Sequence, residues 1–231
     1  MNSINILISL INDFIKNEKY LTDDLENNYR ICQEICRNVI YSCDIPLIIS
    51  GKDNIPKNDS ILITPNHTSF FDIFLLISCI DRYIPFAAAR ELMNYPILNK
   101  YIESIDCVLI DRYTKDLNII KNQLQNIENA INNNGLILFP EGECSYNDEI
   151  NEFKKGGFMA ASKLNTTIIP TYIDINRIKK IGKWCLPKDQ VTITFGEPFK
   201  PKDVFKDRIN SKKLSEYTRN KVLELKKHKN Y

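Results

Sequence analysis

The chain has 231 residues and a mass of 26.9 kDa, enough for one domain with a substantial core. Hydrophobic residues make up 43% and charged residues 26%, globular proportions that exclude a disordered or low-complexity chain. The 31 Lys and Arg against 29 Asp and Glu leave a formal charge of +2, which carries no nucleic-acid signature, and no nucleic-acid partner is expected.

Residues 1–44 predict two helices. Ile4, Ile8, Ile11 and Ile15 recur at helical spacing beside Leu7 and Phe14, and a second stripe runs through Leu25, Tyr29, Cys32, Cys36 and Val39. The pair either packs on the core or lies as an amphipathic unit on a membrane surface, and the sequence leaves both open. The first 20 residues lack the basic start and small-residue cleavage site of a signal peptide.

From residue 45 to 231 the texture alternates. Strand-like runs cover 46–50, 60–64, 107–110, 136–139, 166–169 and 191–195. Helical patterns cover 71–80, 92–105, 115–133, 157–164 and 211–229. This predicts an α/β fold with a mostly parallel central sheet flanked by helices, preceded by the N-terminal two-helix segment. The longest largely apolar run, Phe70 to Ile80, has 11 residues, too few to span a bilayer. Seven cysteines, at 32, 36, 43, 79, 107, 144 and 185, form no CxxC pair and suggest reduced thiols in a cytoplasm. Residues 200–231 hold 11 basic and 4 acidic side chains. A basic end on a mildly acidic body suits either an anionic membrane surface or a solvated helix.

Three strand-like runs stop at a proline, Pro65, Pro140 and Pro170, and proline is expected to mark the carboxyl end of each. Ligands of open α/β sheets bind beyond those ends. Asn66 and His67 follow the first, Glu141 and Gly142 the second. Four of seven glycines fall between 135 and 157, which suits a loop that approaches a ligand closely. Only two histidines occur, and His228 sits in the basic tail. His67 and Asp72 would not share a face of an ideal helix, but they meet if His67 is in a loop and Asp72 in the first helical turn. Asp72 would then fix the imidazole tautomer and leave the other nitrogen as a base. Ser69 is a competing nucleophile without a GxSxG elbow. No carboxylate or histidine spacing forms a known metal-ligand set.

The segment Asn66-His67-Thr68-Ser69-Phe70-Phe71-Asp72 resembles the NHxxxxD block of the glycerolipid acyltransferases, the 1-acylglycerol-3-phosphate (lysophosphatidic acid) acyltransferase family. Leu109-Ile110-Asp111-Arg112 resembles that family's second block. Phe139-Pro140-Glu141-Gly142 with Ser145 resembles its third. Phe153-Lys154-Lys155-Gly156, Ile168-Ile169-Pro170 and Phe195-Gly196-Glu197-Pro198 follow in the family's order. Two positions depart from it. Glu143-Cys144 stand where Thr-Arg is common, and Asp106 stands where glycine is common.

The resemblance implies an O-acyltransferase of phospholipid synthesis. Its donor would be acyl-CoA or acyl carrier protein, with no further cofactor, and its acceptor a lysophospholipid, first of all 1-acylglycerol-3-phosphate. His67 would be the base and Asp72 its support. Asn66, Arg112, Glu141, Gly142, Ser145, Lys154 and Lys155 would bind substrate, with Arg112 on the acceptor phosphate, and no metal would be involved. Glu141 would bind acceptor hydroxyls, brace the site, or cap a helix after Gly142. The enzyme would sit peripherally on the cytoplasmic face of the membrane. Another lysolipid or an aminoacyl lipid as acceptor, a non-catalytic lipid-binding relative, and a serine or thioester hydrolase remain alternatives.

Overall fold

The computed structural model describes residues 11–145, 149–175, 178–181, 184–187, 190–206 and 209–228. Ile4, Leu7 and Ile8 of the first helical stripe lie outside them, as does Lys229 of the basic tail.

Helix α1 covers 11–17. One face buries Phe14, whose ring meets Phe74 and Tyr101 at centroid distances of 6.2 and 4.5 Å, while Ile11 and Ile15 face outward. Helix α2, Leu25–Ser42, starts at Asp24, whose carboxylate accepts from the Glu26 and Asn27 amides. Its expected apolar stripe is buried at Tyr29, Cys32, Cys36 and Val39. Gln33 donates to the Ile77 and Ile80 carbonyls, fixing α2 onto the helix that carries the catalytic candidates.

The remaining elements alternate. They are β1 (Leu47–Ser50), β2 (Ile61–Pro65), α3 (Phe71–Cys79), β3 (Ala87–Ala89), α4 (Pro96–Ser104), β4 (Val108–Ile110), α5 (Leu117–Asn133), β5 (Leu136–Ile137), α6 (Gly156–Leu164), β6 (Thr167–Ile175), β7 (Ile178–Ile181), β8 (Trp184–Pro187), β9 (Val191–Phe195), α7 (Pro201–Val204) and α8 (Ser211–His228). The main sheet has the order β1-β9-β6-β2-β5. Every neighbouring pair is parallel except β6–β9. A parallel pair, β3–β4, continues it through a bridge between Phe86 and Ile137. Every residue of β2 is buried, as a central parallel strand covered on both faces requires. One core layer packs α1, α2 and α3 on the sheet, and a second packs α5, α6 and α8 on the other face.

Three expectations change. The proposed 92–105 helix is a 3-10 turn, Arg90–Asn94, followed by α4, because Pro96 at the first helical position starts a new helix. β5 stops at Ile137, short of Pro140. Pro170 does not end its strand, and β6 runs through it to Ile175. The edge where its missing N–H would point faces the bend after β9. There Pro170 needs only its carbonyl, which accepts from Gly196 N–H at 2.8 Å.

Candidate active site

Strand register assembles the site. Ile63 of β2 pairs with Ile137 of β5 and with Ile169 of β6. Four residues on from each, beyond or along the carboxyl ends, come His67, Glu141 and Ile173. Parallel strands keep such offsets level, so these residues meet. His67 N–H donates to Glu141 Oε1 at 2.7 Å. Asn66 clamps Ile173 from both sides, donating from Nδ2 to its carbonyl at 2.9 Å and accepting its N–H on Oδ1 at 2.7 Å.

His67 leaves the strand in a loop and Asp72 enters the first turn of α3, the one arrangement that lets residues five apart meet. Asp72 is fully buried. Its Oδ2 lies 2.9 Å from His67 Nδ1 and accepts the Thr68 and Ser69 amides at 2.7 and 2.9 Å. Its Oδ1 accepts the Thr68 hydroxyl at 3.2 Å. The imidazole stacks on Phe139, centroids 4.1 Å apart and planes at 27°. With Nδ1 committed to Asp72, Nε2 is the nitrogen left for chemistry, and Cys144 Sγ stands 3.1 Å from it. Burial pulls the His67 pKa down. The hydrogen bond to Asp72, then the Cys144 contact, outweigh it and push the ring up to about 9.

Glu141 is buried and its carboxylate bridges two backbone amides, His67 N–H on Oε1 and Asn151 N–H on Oε2 at 2.8 Å. Burial raises its pKa, and those amides oppose the rise. Both oxygens thus brace the site. Among the described residues no helix begins between Gly142 and Gly156 for Glu141 to cap. Ser145 donates to the His67 carbonyl through its amide at 2.8 Å and its hydroxyl at 3.2 Å, bolting the third block to the first.

Gly142 adopts φ +78°, and a Cβ there would meet the Lys154 amine at 2.5 Å. Arg112, at the end of β4, donates from Nη1 to the Gly142 carbonyl at 2.7 Å and pairs with Glu91 at 3.4 Å. Asp111 instead caps its own turn, accepting the Tyr113 and Thr114 amides. Two cations, Arg112 and Lys154, therefore converge on one turn beside His67. Lys155 is exposed at the N-cap of α6, and among the described residues no side-chain bond ties it to that turn. Asp106 has φ +46°, in the left-handed region that favours glycine.

Ser69 is fully buried and accepts the Phe71 amide on Oγ at 3.0 Å, which removes it from reach of a substrate. Sequence reasoning missed two residues that hold the site. Asn151 completes the Glu141 bridge. Arg219 of α8 donates from Nε to the Ile150 and Asn151 carbonyls at 3.1 and 2.8 Å, and from Nη2 to Ile150 at 2.5 Å. Arg219 sits on the inner side of the basic tail, and only its charge within an amphipathic pattern could have marked it.

The family model described as Acyltransferase matches residues 46–174. The chain is 28% identical over 176 residues to a probable 1-acyl-sn-glycerol-3-phosphate acyltransferase of Mycoplasma pneumoniae, covering 70% of this chain and 65% of that protein. It is 26% identical over 145 residues to lysophosphatidylcholine acyltransferase 2 of Danio rerio, covering 61% of this chain and 26% of that one. The chain thus spans less than two thirds of the length of either. The crystal structure of the 1-acyl-sn-glycerophosphate (LPA) acyltransferase PlsC of Thermotoga maritima shares the fold, with a TM-score of 0.72, 98% of each chain covered and 23% identity.

Proposed function

The chain belongs to the Acyltransferase family, and from that premise we propose that it moves a fatty acyl group from an acyl thioester to the free hydroxyl of a lysophospholipid, 1-acylglycerol-3-phosphate in the first instance, giving phosphatidic acid. The observation that carries this reading is the His67–Asp72 pair, with Nδ1 held at 2.9 Å and Nε2 left outside it, beside Cys144 Sγ. Nε2 takes the acceptor hydroxyl's proton as that oxygen bonds to the thioester carbonyl. The donor thiolate leaves and carries the proton away. Asp72 supports the imidazolium in between. The reaction balances with donor and acceptor alone, acyl-CoA or acyl carrier protein supplying the acyl group.

The convergence of Arg112 and Lys154 on Gly142 supports a phosphate-bearing acceptor, since a guanidinium grips phosphate oxygens in a fork and an amine adds a point charge. Asn66, Glu141 and Ser145 act in this reading by positioning His67. Two features support a peripheral seat on an anionic membrane: outward-facing Ile11 and Ile15 on α1, and exposed Lys212, Lys213 and Lys227 on α8. No described helix is long and apolar enough to cross a membrane. Co-sedimentation with anionic vesicles should therefore weaken as salt rises, and salt-insensitive binding would refute the electrostatic seat.

The deciding experiment is transfer from a radiolabelled acyl thioester to a panel of lysolipids, for wild type and His67→Ala. General-base assistance predicts a loss of about 10²–10⁴-fold in the variant. Transfer to lysophosphatidic acid that survives His67→Ala would overturn the mechanism, and transfer only to other lysolipids would overturn the acceptor.

A further inference from the structure

We propose that Glu91 sets the acceptor affinity and headgroup preference of the site by occupying the Arg112 fork until a phosphate displaces it. This rests on the acyl-transfer reading above, in which Arg112 holds the acceptor phosphate. Strand register brings the two side chains together. Ala89 of β3 pairs with Ile110 of β4 in a parallel ladder, and two residues beyond each come Glu91 and Arg112. Glu91 Oε1 lies 3.4 Å from Arg112 Nη2.

The contact is a loose one. Guanidinium and carboxylate groups in a good ion pair close to about 2.7–2.9 Å, and this pair stays open. The Glu91 and Arg112 side chains are 44% and 29% exposed, so a ligand can reach them. Glu91 Oε2 is buried, and among the described residues no donor meets it. A carboxylate with one long contact and one unpaired oxygen is poorly satisfied. Arg112 does not depend on it either. Its Nη1 donates to the Gly142 carbonyl at 2.7 Å, and its guanidinium carbon stands 5.4 Å from the Tyr113 ring centroid. Asp111, the nearest other carboxylate in the chain, is engaged by the Tyr113 and Thr114 amides. Glu91 therefore competes for a guanidinium that the Gly142 carbonyl and the Tyr113 ring already hold in place.

Two consequences follow for an acceptor. A phosphate that takes Nη2 must replace Oε1, and this cost is common to every phosphate headgroup. The phosphate then sits beside a carboxylate that has lost its partner, and that repulsion grows with headgroup charge. A phosphomonoester carries about −1.5 to −2 at neutral pH and meets more of it than a singly charged phosphodiester. Glu91 thus holds down the affinity for a monoester acceptor and narrows its advantage over diesters. Glu91→Gln keeps the shape and removes both effects.

The test measures transfer from acyl-CoA to lysophosphatidic acid and to lysophosphatidylglycerol, for wild type, Glu91→Gln and Glu91→Asp. In Glu91→Gln, KM for lysophosphatidic acid should fall on the order of fivefold, the upper end for a partly exposed ion pair, with kcat unchanged. KM for lysophosphatidylglycerol should fall less. Glu91→Asp retains the charge and should keep the wild-type ratio between the two acceptors. Phosphorus NMR titration with glycerol 3-phosphate reads the same site without turnover, and its Kd should fall by the same factor in Glu91→Gln. That gain should vanish when Arg112→Ala is added. A KM and Kd that rise in Glu91→Gln would make Glu91 a support of Arg112 and overturn the proposal, as would values equal to wild type or a gain that survives Arg112→Ala. Transfer to lysophosphatidic acid that ignores Glu91→Gln leaves the proposed function standing without this role for Glu91. Tighter glycerol 3-phosphate binding by Glu91→Gln in a protein that serves no lysolipid overturns that function and keeps Glu91 as the competitor.

Discussion

Asp72→Asn separates the charge of the buried carboxylate from its hydrogen bonds. Three donors converge on Oδ2, namely His67 Nδ1 and the Thr68 and Ser69 amides, while Oδ1 meets only the Thr68 hydroxyl. An asparagine can put its carbonyl oxygen where Oδ2 stood and its amide towards Thr68, whose hydroxyl reverses to accept. The bonds survive and the charge does not. His67 stands at about 9 against an ordinary 6.5, equivalent to about 3 kcal/mol in favour of the protonated ring at 1.36 kcal/mol per pH unit. A group raised on folding stabilises the fold fully below its unfolded pKa, and that stabilisation fades as pH rises through the folded value. Wild type should therefore lose about 2 kcal/mol between pH 6.5 and 8.5, a fall in Tm of roughly 4–8 °C for a chain of this size. The variant should lose less than half of that, because burial remains and the main opposing contact has lost its charge. The assay is urea or thermal unfolding across that window. Histidine-labelled NMR gives a second readout, since the chain has only His67 and His228 to resolve. Parallel stability curves for the two proteins, or a His67 ring still titrating near 9 in the variant, would refute the assignment of Asp72 as its support.

Arg112→Lys keeps the charge and loses the fork that contacts Gly142 and Glu91. KM for a phosphate-bearing acceptor should rise about tenfold, roughly 1.4 kcal/mol, with kcat little changed; a fall in kcat at constant KM would mean that Arg112 does not hold the acceptor. Arg219→Ala strips three charged hydrogen bonds from the Ile150 and Asn151 carbonyls, and should lower stability by about 2–3 kcal/mol and slow turnover by loosening the Glu141 bridge. Arg219→Lys should recover part of both, and an unchanged urea midpoint in Arg219→Ala would remove Arg219 from the bracing chain.

Some of this was legible in the residues and some was not, for physical reasons. The β2 run is readable because a central parallel strand must be apolar on both faces. The α2 stripe is readable because it is buried at helical spacing. β3 is three alanines, which carry no strand preference. It exists because Val108 N–H and Ile137 N–H find the Phe86 and Pro85 carbonyls, a tertiary fact. Pro170 misleads because the rule that proline ends a strand assumes a partner on both edges, and here one edge meets a bend. The His67–Asp72 pair is invisible to helical periodicity. Asp72 reaches back across two loop amides, so the pair closes over the N-terminus of α3 and not along its face. Asn66 and Glu141 stand where sequence expects substrate contacts, but each is saturated by backbone groups that register brings level with it.

The same register gives residue 144 its importance. Ile63, Ile137 and Ile169 are paired in three adjacent parallel strands, so equal steps beyond them fall in one layer, and Ser145 then ties the chain back to the His67 carbonyl. The Cys144 side chain is thereby delivered to Nε2, the ring nitrogen that Asp72 does not hold. A positively charged side chain at this position would meet a ring that must itself become positive, and would disfavour its protonated form. The Cys144 contact does the reverse and supports the proton on the ring. The residue at 144 therefore sets the electrostatics of the base as well as the shape of the site.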